Sequence, residues 1–129
     1  MLQRDYVMRL IREFYEALEL LLNKDLHKRQ EEIKKMYDQY VGPYAFYHTA
    51  TVDEVMESME HFDEKERLPR MAMLAELYYA DSTFYTGPLK HMLLQKALVL
   101  FDFIDRHERT FDMQRLGKMN DIRKQLDNQ

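Results

Sequence analysis

Apolar residues recur every three and four positions through nearly the whole chain, and few residues are present that could interrupt them. That pattern is the signature of helices with one buried face. The sequence of 129 residues holds three glycines and three prolines, too few for the many tight turns of an all-β fold. The helix breakers stand at boundaries. Gly42-Pro43 and Gly87-Pro88 each read as a stop followed by a restart, and Pro69 suits the first turn of a new helix.

The periodicity predicts an all-α fold of about six helices in a single domain over 1–129. The first spans about Gln3 to Asn23, with Val7, Leu10, Ile11, Phe14, Ala17, Leu18 and Leu21 inward. The second spans about Asp25 to Val41, capped by Asp25, with Leu26, Ile33, Met36, Tyr37, Tyr40 and Val41 as its stripe. A loop over 43–50 follows. Thr51-Val-Asp-Glu54 is a capping-box pattern opening a third helix to about His61. The fourth runs from about Pro69 to Ser82, the fifth from about Pro88 to His107 and the sixth from about Asp112 to Asp127. The fifth is apolar nearly all round, leaving His91, Gln95, Asp102 and Arg106 as a thin polar strip, so it is expected to be the most buried element. Short connections predict stacked antiparallel helical hairpins. Gly117, in the middle of the sixth helix, is expected to permit a close helix crossing.

Other features narrow the function by exclusion. The chain lacks cysteine, which removes disulfides, thiolate metal sites and a cysteine nucleophile. The net charge of −4 disfavours general nucleic-acid binding. Arg4, Asp5, Arg9, Arg12 and Glu13 interrupt the first apolar stretch, so neither a signal peptide nor a membrane span is expected, and the cytoplasm is the expected compartment. Residues 51–70 are acid-rich. Residues 106–124 are base-rich through Arg106, Arg109, Arg115, Lys118, Arg123 and Lys124. These read as solvated helix faces, with an acidic partner-binding patch as the sharper alternative.

No catalytic motif emerges. The residues three before the histidines are Lys24, Ala45, Ser58, Pro88 and Ile104, so the Glu-x-x-His pairs of di-iron bundles are missing. Glu57 and His61, with Asp63 near, form the one ligand-like spacing and read better as a solvated pair. Neither serine, Ser58 or Ser82, lies in a nucleophile elbow, and the glycines are too scattered for a phosphate loop. No metal and no cofactor is expected. Paired carboxylates brought together by folding stay open. The densest local feature is aromatic: Tyr37, Tyr40, Tyr44, Phe46 and Tyr47, followed by His48. Tyr40, Tyr44, Tyr47 and His48 are the candidate binding residues, either as a pocket or partner surface or as a cover for the open end of the first hairpin. Met56, Met59, Met71, Met92, Met113 and Met119 sit at core spacings and read as core filling.

Leu74-Ala75 with Tyr78, then Ala97 with Phe101 and Ile104, resembles the small-and-aromatic interlock of tetratricopeptide helix pairs. The spacing departs from the roughly 34-residue repeat, whose Gly and closing Pro are not at their places. Residues 69–127 thus look like a lengthened, tetratricopeptide-like helix pair plus a terminal helix. Asp5-Tyr-Val-Met-Arg-Leu-Ile11 and Thr110-Phe-Asp-Met-Gln-Arg115 also resemble an uncharacterised bacterial family of small helical proteins. The stacked helix pairs, the tetratricopeptide likeness, the wide apolar faces and the lack of catalytic motifs point to a non-catalytic protein-interaction or self-association module; the bacterial family lends no activity. The first helix carries an apolar arc wider than one neighbour can cover, which points to a homodimer through that helix. The alternative is a small-molecule-binding protein or small enzyme with a Tyr/His-lined pocket between helices.

Overall fold

The computed structural model describes residues 2–108 and 110–128, with side-chain surroundings from Asp5 onward. Arg109 of the basic segment and the side chain of Arg4 lie outside the described residues. The described residues form seven α-helices and no strand: α1 (Leu2–Leu20), α2 (Leu26–Tyr40), α3 (Tyr44–Thr49), α4 (Val52–Met59), α5 (Glu64–Ser82), α6 (Gly87–His107) and α7 (Met113–Asp127). A single 3-10 turn, Leu21–Asn23, makes the elbow between α1 and α2. Among the described residues no helix is long and apolar enough to cross a membrane.

Most boundaries follow their capping chemistry. The Asp25 carboxylate accepts from the Lys28 amide at the start of α2. Thr51 and Glu54 close the capping box that opens α4. Asp112 caps α7 by accepting from the Arg115 amide. Gly87 takes the left-handed φ of 70° that lets α6 restart before Pro88.

Two boundaries differ from the sequence reading. The loop expected over 43–50 winds into α3. Gly42 and Pro43 turn the chain after α2, and the Tyr47 ring then packs on Gly42, where an added Cβ would lie 2.9 Å from Tyr47 Cε2. Pro69 does not open its helix but sits inside α5, which begins at Glu64. The turn before Pro69 is fixed by side chains. Arg67 donates to the carbonyls of Phe62 and Glu60, and Arg70 reaches back across the proline to Glu66.

The centre of the molecule is α5, not α6 as its apolar sequence suggests. α5 packs against α6, α2, α1 and α4, and it buries Arg70, Glu76, Asp81 and Ser82 along with its apolar residues. α6 does bury Leu93, Ala97, Leu100, Phe101 and Ile104 as expected, yet its Val99 is exposed. α1 and α2 pack chiefly on α5 rather than on each other, touching where Phe14 meets Tyr40 edge-on at 5.1 Å. Two positions read as core face the solvent instead: Leu26 and Met113. Gly117 also lies open. A Cβ added there would meet nothing within 4 Å, so no helix of the same chain crosses it closely.

Candidate functional site

Two places in the fold concentrate chemistry. One is the aromatic segment, which is closed. The other is a cleft between α1 and α7, which is open.

The aromatic segment is fastened by buried polar groups on other helices. Asp81, on the last turn of α5, is 1% exposed. Its Oδ2 accepts from the Tyr37 hydroxyl at 3.1 Å and lies 3.5 Å from His48 Nδ1. The Tyr44 hydroxyl sits 2.9 Å from the same His48 nitrogen. Asp81 Oδ1 is buried without a partner. Burial raises the Asp81 carboxyl above its ordinary range, against the hydrogen bond from Tyr37 and the attraction of His48. Burial likewise pushes the Tyr37 and Tyr44 hydroxyls well up, so both stay protonated, and Tyr37 donates to Asp81.

On the other side of α3 stands Lys96 of α6. Its ammonium donates to the carbonyls of Tyr47 at 3.1 Å, His48 at 3.2 Å and Ala50 at 2.9 Å. It also lies 4.6 Å above the Tyr78 ring. These are the carbonyls at the C-terminal end of α3, where the helix leaves acceptors unpaired and favours a cation. The Tyr78 hydroxyl donates to the Tyr47 carbonyl as well, and the Tyr47 hydroxyl bonds Ser58.

Of the sequence candidates, Tyr44 and His48 therefore meet at Asp81. Tyr47 does not join them: its ring packs on Gly42 and its hydroxyl bonds Ser58. Tyr40 stands apart, packed on Phe14, with its carbonyl accepting from Arg70. The partners the sequence reading missed are Asp81 and Lys96. Lys96 carries a faint signal: on a helical wheel it falls inside the apolar arc of α6 rather than on the polar strip. Glu57 and His61 are exposed. Among the described residues no group of three or more His, Asp or Glu side chains is placed to hold a metal.

The cleft follows from the periodicity of α5. Ala72, Met73, Glu76, Tyr79, Ala80 and Thr83 recur at three and four and form its floor. α1 and the elbow form one wall, α7 the other. The narrow half holds about 220 Å³ between Tyr15 and Arg115. The wide half holds about 620 Å³ between the elbow leucines Leu18, Leu21, Leu22 and Leu26 and the α7 residues Asp121 and Gln125. The halves meet at a crossbar, where Lys118 of α7 and the Tyr15 hydroxyl of α1 both donate to Glu76 Oε2. Burial, reinforced by Glu76, pushes the Tyr15 hydroxyl well up and keeps it a donor.

The acids facing the wide half are already engaged. Glu76 takes Lys118 and Tyr15, and Asp121 takes Tyr79 and Gln125. The hydrogen bonds hold the Asp121 carboxyl below its ordinary range. Arg29 and Lys90 line the same half and have no carboxylate within ion-pair distance among the described residues. Apolar walls and open positive charge suit an apolar ligand that carries an acid. Comparison of the chain with protein-family models, curated proteins and solved structures finds no match.

Proposed function

We propose that this chain is a non-catalytic interaction module that takes an apolar protein segment into the cleft between α1 and α7. The observation that carries this reading is the wide half of the cleft. It is leucine-walled and open, its acids are paired within the fold, and Leu22 and Leu26 stand bare at its mouth. Exposed contiguous apolar surface of this kind is unusual on a chain that acts alone. The helix pair α5–α6, read as tetratricopeptide-like with Ala75 and Ala97 buried, supports the same reading, since stacked helix pairs present grooves to other chains. The sequence likeness makes a bacterial cytoplasm the expected setting.

The alternative of a Tyr/His-lined ligand pocket draws less support. Tyr37, Tyr44, His48 and Asp81 bond one another, and both halves of the cleft are lined by other residues.

Selection of peptides from a random display library on immobilised protein tests the proposal. Binders enriched in apolar residues are expected, and Thr83→Arg, at the exposed edge of the cleft floor, should weaken them at least about tenfold, or 1.4 kcal/mol. Failure to recover any binder, or binders indifferent to Thr83→Arg, would remove the cleft as the site.

A further inference from the structure

We infer that the segment this cleft accepts belongs to a second copy of the chain, with Phe111 and Met113 of each copy entering the wide half of the other's cleft. This rests on the cleft being a protein-binding site, and it names the partner.

The four most exposed large apolar side chains among the described residues fall into two sets. Phe111 and Met113 are each 76% exposed, and Leu22 and Leu26 are 71% and 65% exposed. The first pair is a protrusion and the second rims a depression. Phe111 and Met113 do not stand out because their loop is loosely held. Arg115, itself buried, donates to Asp105, to Glu108 and to the Thr110 carbonyl, and it lies 3.8 Å from Asp112. Asp112 in turn caps α7. A buried arginine thus braces the turn that displays two bare apolar side chains. A pre-organised protrusion loses little conformational freedom on docking.

Charge agrees with the pairing. Asp112 lies between Phe111 and Met113 with its side chain half exposed. The rim of the wide half offers Arg29 and Lys90, neither engaged by a carboxylate among the described residues. Seating the protrusion there brings the acid toward Lys90 and toward Arg29, whose guanidinium is held by the Lys24 and Leu22 carbonyls and by no carboxylate among the described residues, while the leucines cover the apolar side chains.

The placement also closes on itself. Phe111 and Met113 are at the N-terminal end of α7, and the wide half of the cleft lies beside Asp121 and Gln125 near its other end. The two are about 12–18 Å apart along the axis at ~1.5 Å per residue. Two α7 helices set antiparallel therefore make both insertions at once, an isologous contact around a two-fold axis. The axis falls near the middle of α7. There Gly117 shares an exposed stripe with Met113, Asn120 and Lys124, and a Cβ added to it would have no neighbour within 4 Å in its own chain. A glycine mid-helix is disfavoured on propensity alone, and a second helix approaching closely would account for it.

Sedimentation velocity from about 1 to 200 µM, with Phe111→Glu and Leu22→Glu, tests the inference. Both side chains are exposed, so both variants should fold, as circular dichroism will confirm. The wild type should reach a dimer mass in this range. Each variant alone should dissociate at least tenfold more readily, because either change spoils both contacts. An equimolar mixture of the two should regain association, because one intact protrusion meets one intact cleft. A monomeric wild type, a dimer indifferent to both substitutions, or no recovery on mixing would each overturn the inference. If the wild type is monomeric yet still binds display-selected peptides in a Thr83-dependent way, only the self-partner is lost. If it binds none, the interaction reading falls with it.

Discussion

Lys96 is 4% exposed, and all three of its donors go to backbone carbonyls around the end of α3. Burial pushes the amine down to about 8, against the pull of Asp81 and Glu54. Lys96→Met keeps the apolar stem and removes the donors, leaving buried carbonyls short of partners. The expected loss is on the order of 3 kcal/mol by urea unfolding, and a loss below ~1 kcal/mol would show that water takes over the bonds. Asp81 makes the complementary case. Its carboxyl is raised above 3.8 in the folded chain, so the folded state keeps the proton longer than the unfolded one. The stability this group contributes is therefore present below 3.8 and is lost as pH rises through the folded value. Asp81→Asn keeps an oxygen for the Tyr37 hydroxyl and does not titrate. The stability of the variant minus that of the wild type should rise between about pH 3 and 7, and a difference that stays level or falls contradicts the burial cost assigned to the carboxylate. The clustering of Tyr37, Tyr40, Tyr44, Tyr47 and His48 is legible in the sequence because these residues are contiguous. Asp81 is not legible, because hydropathy assigns a charged residue in a helix to solvent; Lys96 shows only by its place inside the apolar arc of α6, and the fold alone brings either to α3.

At the scale of elements, the long helices are legible to within a few residues, since each repeats at three and four and most carry a capping residue. α3 is missed because six residues span fewer than two turns, below what periodicity can register. The start of α5 is missed for a different reason. The charged stretch before Pro69 has no apolar stripe, and it is helical because Arg67 and Arg70 tie it to Phe62, Glu60, Glu66 and the Tyr40 carbonyl. The ranking of α5 and α6 also inverts. α6 is the more apolar, yet α5 has more neighbours, and its buried Arg70, Glu76 and Asp81 are bonded to other helices. α6 still forms half of the central pair. Leu100, 1% exposed, should cost about 2–5 kcal/mol on replacement by Ala, read from the shift in urea midpoint at constant slope. A cost under ~1 kcal/mol would place the side chain at a site able to collapse around the cavity.

Across the whole molecule, α5 is the mast to which α1, α2, α4 and α6 are attached, while α7 packs on α6 and α3 on α2, and the attachments to α5 are unequal. α6 is joined to it along most of its length, through Leu93, Ala97, Leu100, Phe101 and Ile104. α1 is held by buried Val7 and Phe14, with Leu10, Ile11, Ala17 and Leu18 only half-buried against the core, and part of that flank also lines the cleft. Across that cleft its polar tie is Tyr15 to Glu76 at 3.4 Å, a longer bond than those that fasten α3. The cleft exists because α1 packs on α5 and α7 on α6 without closing on each other, so openness at the site and weak attachment of α1 have the same cause. Parts of a fold with few buried contacts open separately, at lower free energy than the whole. Native-state amide exchange should therefore find α1 opening well before α5 and α6, with amides of 10–20 exchanging at least about tenfold faster than those of 93–104, equivalent to 1.4 kcal/mol or more. Filling the cleft ties α1 to α7, so any occupant should slow exchange in α1 more than in α6. Uniform protection of α1 and α6 in the free chain would mean that the half-buried flank of α1 fixes it as firmly as full burial fixes α6, and that the cleft is a rigid feature rather than the loose edge of the fold.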